Sequence, residues 1–300
     1  MATTPPTNTR TLHEKVVIVT GAGRGIGAEI AKLAAGHGAA VVVNDLGGAA
    51  DGEGADQTPA QRVVDEIKES GGRAVANYGS VASSADAQAM IDQALDEFGQ
   101  LDAVVNNAGI LRDKSFKKMT DEMWDVVLDV HLRGTYLVTK AAYDQMLVQE
   151  KGGRIVMTSS TSGLLGNFGQ TNYGAAKAGI AGFMRCLALE GVKANITVNL
   201  LAPFAYSRLT EDLMPEQAAA PLAPDKVSAA VAWLCSDDAS DVTGRTFVVG
   251  GNKVYLLSWE AFEIVAKPPT EEALTVDEVG AAMRSSIERW PKLLSAADFM

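Results

Sequence analysis

The chain has 300 residues, 47% hydrophobic and 21% charged, a balance that suits one large α/β domain and excludes disorder as its main state. Against 37 acidic side chains stand 26 basic ones, and the net charge of −11 repels polyphosphate backbones, so nucleic acid is not an expected partner. No stretch approaches the roughly 18 apolar residues of a spanning helix, the opening MATTPPTNTR lacks the pattern of a secretory leader, and Cys186 and Cys235 share no ligand spacing with the histidines. A cytoplasmic address without a membrane span, a disulfide framework or a metal site is the resulting expectation.

Residues 1–10 read as a disordered polar tail. The run Val16–Val19 then meets a glycine cluster, and Ile26, Ile30, Leu33 and Ala34 recur at helical spacing, which predicts strand, tight turn and helix. The apolar run Ala39–Val43 ends at Asn44-Asp45, and Leu46–Pro59 is too long for a βα connection and reads as an insertion. Helix Ala60–Ser70, strand Arg73–Asn77, helix Ser84–Phe98 and strand Leu101–Asn106 continue the alternation. Helix Asp121–Gln149, strand Arg154–Ser159, helix Asn172–Gly191, strand Asn195–Leu201, helix Pro224–Asp237 and strand Thr246–Val249 complete it. Residues 11–266 are therefore expected to form a single Rossmann-like domain, a doubly wound parallel sheet of seven strands with helices on both faces. Pro268-Pro269 open a C-terminal extension, 267–300, in which Val279, Met283, Ile287 and Trp290 predict one apolar helix face, to be buried against either the chain's own substrate loop, expected over Arg208–Met214, or a partner subunit.

Thr20-Gly21-Ala22-Gly23-Arg24-Gly25-Ile26-Gly27 lies at the first strand-to-helix turn, where bare backbone lets a pyrophosphate reach the helix N-terminus. Its context is that of a dinucleotide site: a buried strand before, an apolar helix after, and an acid, Asp45, at the end of the second strand. A carboxylate there accepts the adenosine-ribose hydroxyls and repels a 2′-phosphate, which argues for NAD over NADP; Arg24 is the counterweight, a cation able to hold that phosphate.

Tyr173 and Lys177 form Y-x-x-x-K on a predicted helix and so share one face. A phenol of ordinary pKa near 10 is a poor base at neutral pH, and an adjacent ammonium favours its phenolate. Ser160 precedes Tyr173 by thirteen residues at the end of a buried strand, and Asn106-Asn107-Ala108-Gly109 follows the fourth strand.

In order and spacing these four motifs resemble the short-chain dehydrogenase/reductase family over about residues 12–255. The resemblance implies that Tyr173 is the general acid/base, that Ser160 hydrogen-bonds the reacting oxygen, and that Lys177 holds the nicotinamide ribose while tuning Tyr173. Gly21, Gly23, Arg24, Gly25, Ile26, Gly27, Asp45, Asn107, Ala108, Gly109 and Pro203 would line the cofactor site. After the third strand Gly79-Ser80-Val81 stands where the family has an aspartate, so Ser80 and Val81 are expected at the adenine. His131 takes the place of the family's asparagine in the long helix, where it could relay protons or simply pack in the core.

Asn44-Asp45-Leu46-Gly47-Gly48, Leu111-Arg112-Asp113-Lys114-Ser115-Phe116 and Gly166-Asn167-Phe168-Gly169-Gln170 narrow the resemblance to the (3R)-hydroxyacyl-CoA dehydrogenase domains of type 2 peroxisomal multifunctional enzymes, some of which oxidise 17β-hydroxysteroids. This implies a secondary-alcohol dehydrogenase acting on an acyl-CoA or a steroid, with Phe168, Phe204 and Tyr206 at the substrate and a homodimer or homotetramer as the assembly. Arg112, Lys114, Lys117 and Lys118 could meet the phosphates of an acyl-CoA. An NADP-dependent ketoreductase and a non-catalytic dinucleotide sensor are the alternatives.

Overall fold

The computed structural model describes residues 11–206, 215–270 and 272–299. Strand β1 (Val16–Thr20) is buried along its whole length, as are β2 (Ala40–Asn44) and β4 (Ala103–Asn106), which is why each reads as a continuous apolar run and not as an alternation. With β3 (Arg73–Asn77), β5 (Gly153–Thr158), β6 (Ile196–Pro203), β7 (Thr246–Gly250) and β8 (Lys253–Leu257) they form one sheet in the order β3-β2-β1-β4-β5-β6-β7-β8. The chain starts at the centre, moves outward to β3, and returns to place β4 on the other side of β1. Val17 is thereby in register with Val41 on one side and Ala103 on the other. The crevice outside the C-terminal ends of β1 and β4, where the winding reverses, is where such sheets bind ligands.

Successive residues of β1 serve opposite faces. Val17 and Val19 pack with α1 (Gly25–Gly36), α2 (Thr58–Glu69) and α8 (Asp225–Leu234), whereas Val16 and Ile18 pack with α3 (Ser84–Phe98), α5 (Gly134–Gln149) and α7 (Thr171–Gly191). The sheet is thus clamped between two apolar layers, which fixes the strand ends that carry the site.

Two expectations need correction. An eighth strand is present: β8 runs antiparallel to β7 across a tight turn in which Gly251 and Asn252 both have positive φ, and the edge strand follows from that hairpin chemistry and not from the βα rhythm. The helix expected over Asp121–Gln149 is divided into α4 (Asp121–Leu128) and α5 by a π-helical turn, Asp129–Arg133, that contains His131. In the single chain the apolar stripe of the extension is open: Met283 on α9 (Val276–Ser286) and Ile287 and Trp290 just after it are each more than 40% exposed, which leaves the loop 208–214 or a partner subunit as what would cover it. What anchors the extension is Phe299, buried against Ala202, Phe204 and Val248 and edge-on to Tyr255 at 5.2 Å. The tail 1–10 and the expected substrate loop, 208–214, lie outside the described residues.

Candidate active site

The dinucleotide groove is lined by Gly21, Arg24, Gly25, Ile26 and Gly27 from the first turn, by Asp45, and by Gly79, Ser80 and Val81 after β3. Asn107, Ala108 and Gly109 after β4 close its far side. No side chain caps the N-terminus of α1, so its first-turn N–H groups are left to the groove. The two carboxylate oxygens of Asp45 accept from the Gly23 N–H at 2.7 Å and the Gly47 N–H at 2.6 Å, which holds the acid rigidly at the end of β2. Asn107 donates to the carbonyls of Thr20 and Gly21, both at 3.0 Å, and so ties the β4 end to the glycine turn. These groups fit a nicotinamide dinucleotide: free backbone donors face the pyrophosphate position and an ordered carboxylate faces the adenosine ribose. Gly23 contributes backbone to this arrangement; Pro203, at the end of β6, is not among the groove residues.

The chemical end lies beside Ile110, which packs with Tyr173. Tyr173 projects from the first turn of α7, where its backbone N–H is held by the Asn172 side chain at 2.8 Å; Asn172 in turn donates to the carbonyls of Arg112 and Met123. Ser160 is the N-cap of α6 (Thr161–Leu165), its hydroxyl accepting from the Ser162 N–H at 3.1 Å, and it is near enough to Tyr173 to act on the phenol's pKa. Lys177 is buried one turn along α7, its ammonium donating to the Thr158 carbonyl at 2.7 Å and lying 5.5 Å from the centre of the Tyr173 ring. Burial pushes the Tyr173 phenol up to about 12, with Ser160 opposing, and pushes the Lys177 amine down to about 7. Both groups are therefore held neutral more strongly than in water, so a charge arriving between them is felt at low dielectric.

His131 is 2% exposed, and its Nε2 faces the Ile110 peptide, 3.1 Å from the nitrogen and 2.8 Å from the oxygen. Either neutral tautomer finds a partner there, as acceptor from the N–H or donor to the carbonyl. Burial, with Lys177 adding to it, holds the imidazole well below its ordinary pKa and hence uncharged. The ring packs so closely on Gly109 that a Cβ at that position would lie 2.3 Å from its Cε1, which requires glycine there.

The short chain dehydrogenase family pattern matches residues 15–216. The chain belongs to that family. The mouse peroxisomal multifunctional enzyme type 2 is 50% identical over 82% of this chain and 33% of its own, so this chain spans about a third of that relative. The hydroxyacyl-CoA dehydrogenase ChsB1 of Mycobacterium tuberculosis is 41% identical over 84% of this chain and 82% of its own. A short-chain dehydrogenase structure from Mycobacterium avium superimposes with a TM-score of 0.82 at 38% identity, covering 95% of this chain and 98% of that one. As a family member the chain is an enzyme of the short-chain dehydrogenase type, an oxidoreductase whose Rossmann fold takes a nicotinamide dinucleotide. No helix of its described residues is long and apolar enough to cross a membrane.

The substrate residues expected from the sequence are dispersed. Phe168 is 90% exposed, whereas Phe204 is 7% exposed and packs in a core cluster with Phe299 of the C-terminal extension. Tyr206 is half-buried, its N–H donating to the Leu222 carbonyl. Sequence reasoning missed Asn172, which shapes the backbone at Tyr173, and Asp86, which accepts the Ser80 N–H at 2.9 Å and brings a carboxylate to the adenine loop from α3. It also left open the insertion, whose Leu46, Gly48, Ala49 and Gly52 line the groove.

Proposed function

We propose that this short-chain dehydrogenase interconverts a 3-hydroxyacyl thioester and its 3-oxoacyl counterpart with NAD as the hydride carrier. Asp45 carries the cofactor choice: held by two backbone N–H groups, its carboxylate has no freedom to withdraw from a 2′-phosphate, while each oxygen keeps a lone pair for a ribose hydroxyl. Arg24, the cation that could favour NADP, lies near enough to Asp56 to help depress that acid's pKa, behind larger contributions from Thr58, so an acid shares its surroundings. The hydroxyacyl class is supported by the name of ChsB1 and by three exposed lysines, Lys114, Lys117 and Lys118, after β4. A steroid offers them no phosphate.

The dinucleotide supplies the hydride acceptor or donor; the chain supplies the rest. Ser160 positions the substrate oxygen beside the Tyr173 hydroxyl. In reduction the neutral phenol, favoured by its burial, gives its proton to that oxygen as hydride arrives. In oxidation Tyr173 must first lose the proton, and a protonated Lys177 stabilises the phenolate it leaves. We further propose a homo-oligomer built on α4–α5 and α7, where Tyr136, Val148 and Leu189 are exposed.

NADH formation against a panel of 3-hydroxyacyl-CoAs and 17β-hydroxysteroids tests the substrate reading, which fails if the steroids are turned over and the thioesters are not. Tyr173→Phe is expected to lower turnover by at least about a thousandfold while NADH affinity stays within a few-fold. Near-normal turnover would remove Tyr173 from the chemistry.

A further inference from the structure

The insertion leaves β2 at Leu46, on one side of β1, and makes its distal contacts beyond β4, on the other side. It therefore passes over the C-terminal end of β1, where the glycine turn lies. Its near end is pinned by Asp45 on the Gly47 N–H and by the Asp56 N–H on the Leu46 carbonyl. Its far end is pinned to the segment after β4: the Leu111 N–H donates to the Ala50 carbonyl at 3.0 Å, and Arg112 Nε donates to the Asp51 carbonyl at 2.7 Å. The same guanidinium reaches Glu53 at 3.2 Å. Gly52, at φ +92°, lies flat on Ile110, where a Cβ would come within 2.9 Å of that side chain. Between the two pins, Leu46, Gly48, Ala49 and Gly52 form a wall of the groove.

We infer that residues 46–53 are a strap closed over the middle of the dinucleotide site and that Arg112 is its latch. The inference rests on the nicotinamide dinucleotide reading of that groove. A ligand held at Asp45 and reaching Ile110 lies beneath the strap, so its release requires the Arg112 contacts to part; a ligand occupying only the Asp45 end does not reach the latch. Arg112 also joins the strap to the chemical end, because its carbonyl accepts from Asn172, which holds the Tyr173 backbone. The two contacts of the guanidinium differ in weight. Glu53 is 73% exposed in its side chain and its ion pair is screened, whereas the bond to the Asp51 carbonyl is charge-assisted and partly buried.

Stopped-flow NADH fluorescence and AMP binding test this on the full chain. Arg112→Ala is expected to speed NADH dissociation about tenfold or more with AMP affinity within twofold of wild type, and Glu53→Gln is expected to change the NADH rate by less than about threefold. The Ala49 N–H already donates to the Glu53 carbonyl, so the ends of that stretch meet, and a second variant with residues 49–53 replaced by one glycine should also release NADH faster. This variant decides the matter if Arg112→Ala does not fold. Dissociation from the folded variants at the wild-type rate, with wild type binding NADH normally, overturns the strap alone. A wild-type protein that binds no nicotinamide dinucleotide overturns the strap together with the reading it rests on.

Discussion

His131 meets Tyr173 edge-on, with ring centroids 5.1 Å apart and planes at 86°, while its Nε2 holds the Ile110 peptide. One neutral ring thus touches both the Ile110 backbone and the Tyr173 phenol ring. Because burial keeps the imidazole uncharged, the arrangement supports a positioning role more strongly than a relay through an imidazolium. His131→Asn retains an amide able to bond the Ile110 peptide and should keep kcat within about threefold, whereas His131→Leu should lose about tenfold or more in kcat with little change in NADH affinity. Equal kcat for the leucine variant and wild type, measured on folded protein, would reduce His131 to core packing.

Lys177 gives a prediction about both titration and stability. Its amine is pushed down to about 7 by burial, so the fold favours the neutral form. Stability present above the unfolded lysine value is lost as pH falls from about 10.5 toward 7, where the unfolded chain binds a proton that the folded chain does not, and no further loss follows below the folded value. In the cofactor-free protein the Lys177 Cε resonance should titrate near 7, well separated from the surface lysines. Lys177→Met should abolish turnover and yet stabilise the fold at neutral pH by on the order of 1–2 kcal/mol, because it removes a buried amine whose deprotonation on folding costs free energy at that pH. A titration near 10.5 together with an unchanged or lowered Tm would show that water reaches the amine.

The parts of the site legible in the sequence are those whose spacing is set by local backbone. The glycine turn, Asp45 at a strand end, and Tyr173 and Lys177 one helical turn apart all follow from fixed offsets along single elements. Residues that act across elements gave no such signal. Asn172 is an ordinary polar residue until its two carbonyl partners, Arg112 and Met123, are in place, and Asp86 serves the Ser80 loop only because α3 folds back under it. The fold shows the same division. The βα rhythm yields the parallel strands, but β8 depends on a two-residue hairpin, Gly251-Asn252, and the π-helical turn at His131 has neither proline nor glycine within it to announce it. The extension shows a further limit: spacing announces an apolar stripe but not what covers it, and among the described residues of the single chain Met283, Ile287 and Trp290 face outward.

Asp45 sets the expected cofactor preference. Asp45→Ala removes the repulsion of a 2′-phosphate, but it also frees the Gly23 and Gly47 N–H groups. NAD should therefore be used less well by about tenfold or more in kcat/KM, while use of NADP holds or improves, so that the preference narrows from both sides. Steady-state comparison of the two cofactors checks this, and wild-type protein that favours NADP would refute the assignment.

Phe299 joins the far end of the chain to the segment after β6. Its ring is buried with Phe204 and Tyr255 and with Leu164 and Leu165 of α6, the short helix that Ser160 caps. Elsewhere in the extension Met283, Ile287 and Trp290 stay exposed, Ser286 is buried and Arg289 lies over the Phe262 ring, so Phe299 is the large apolar side chain of the described extension that is buried in a core cluster. Phe299→Ala should accordingly release the extension locally, with about 2–3 kcal/mol less protection of amides 296–299 against hydrogen exchange and a smaller change in global Tm. Removing residues 270–300 should uncover Phe204 and loosen α6, raising KM for a bulky substrate by several-fold while KM for NAD changes by less than about twofold, because the groove at Asp45 lies on the opposite half of the sheet. A folded truncation with both constants unchanged would separate the extension from catalysis, and a parallel rise in both would point to a general loss of the fold.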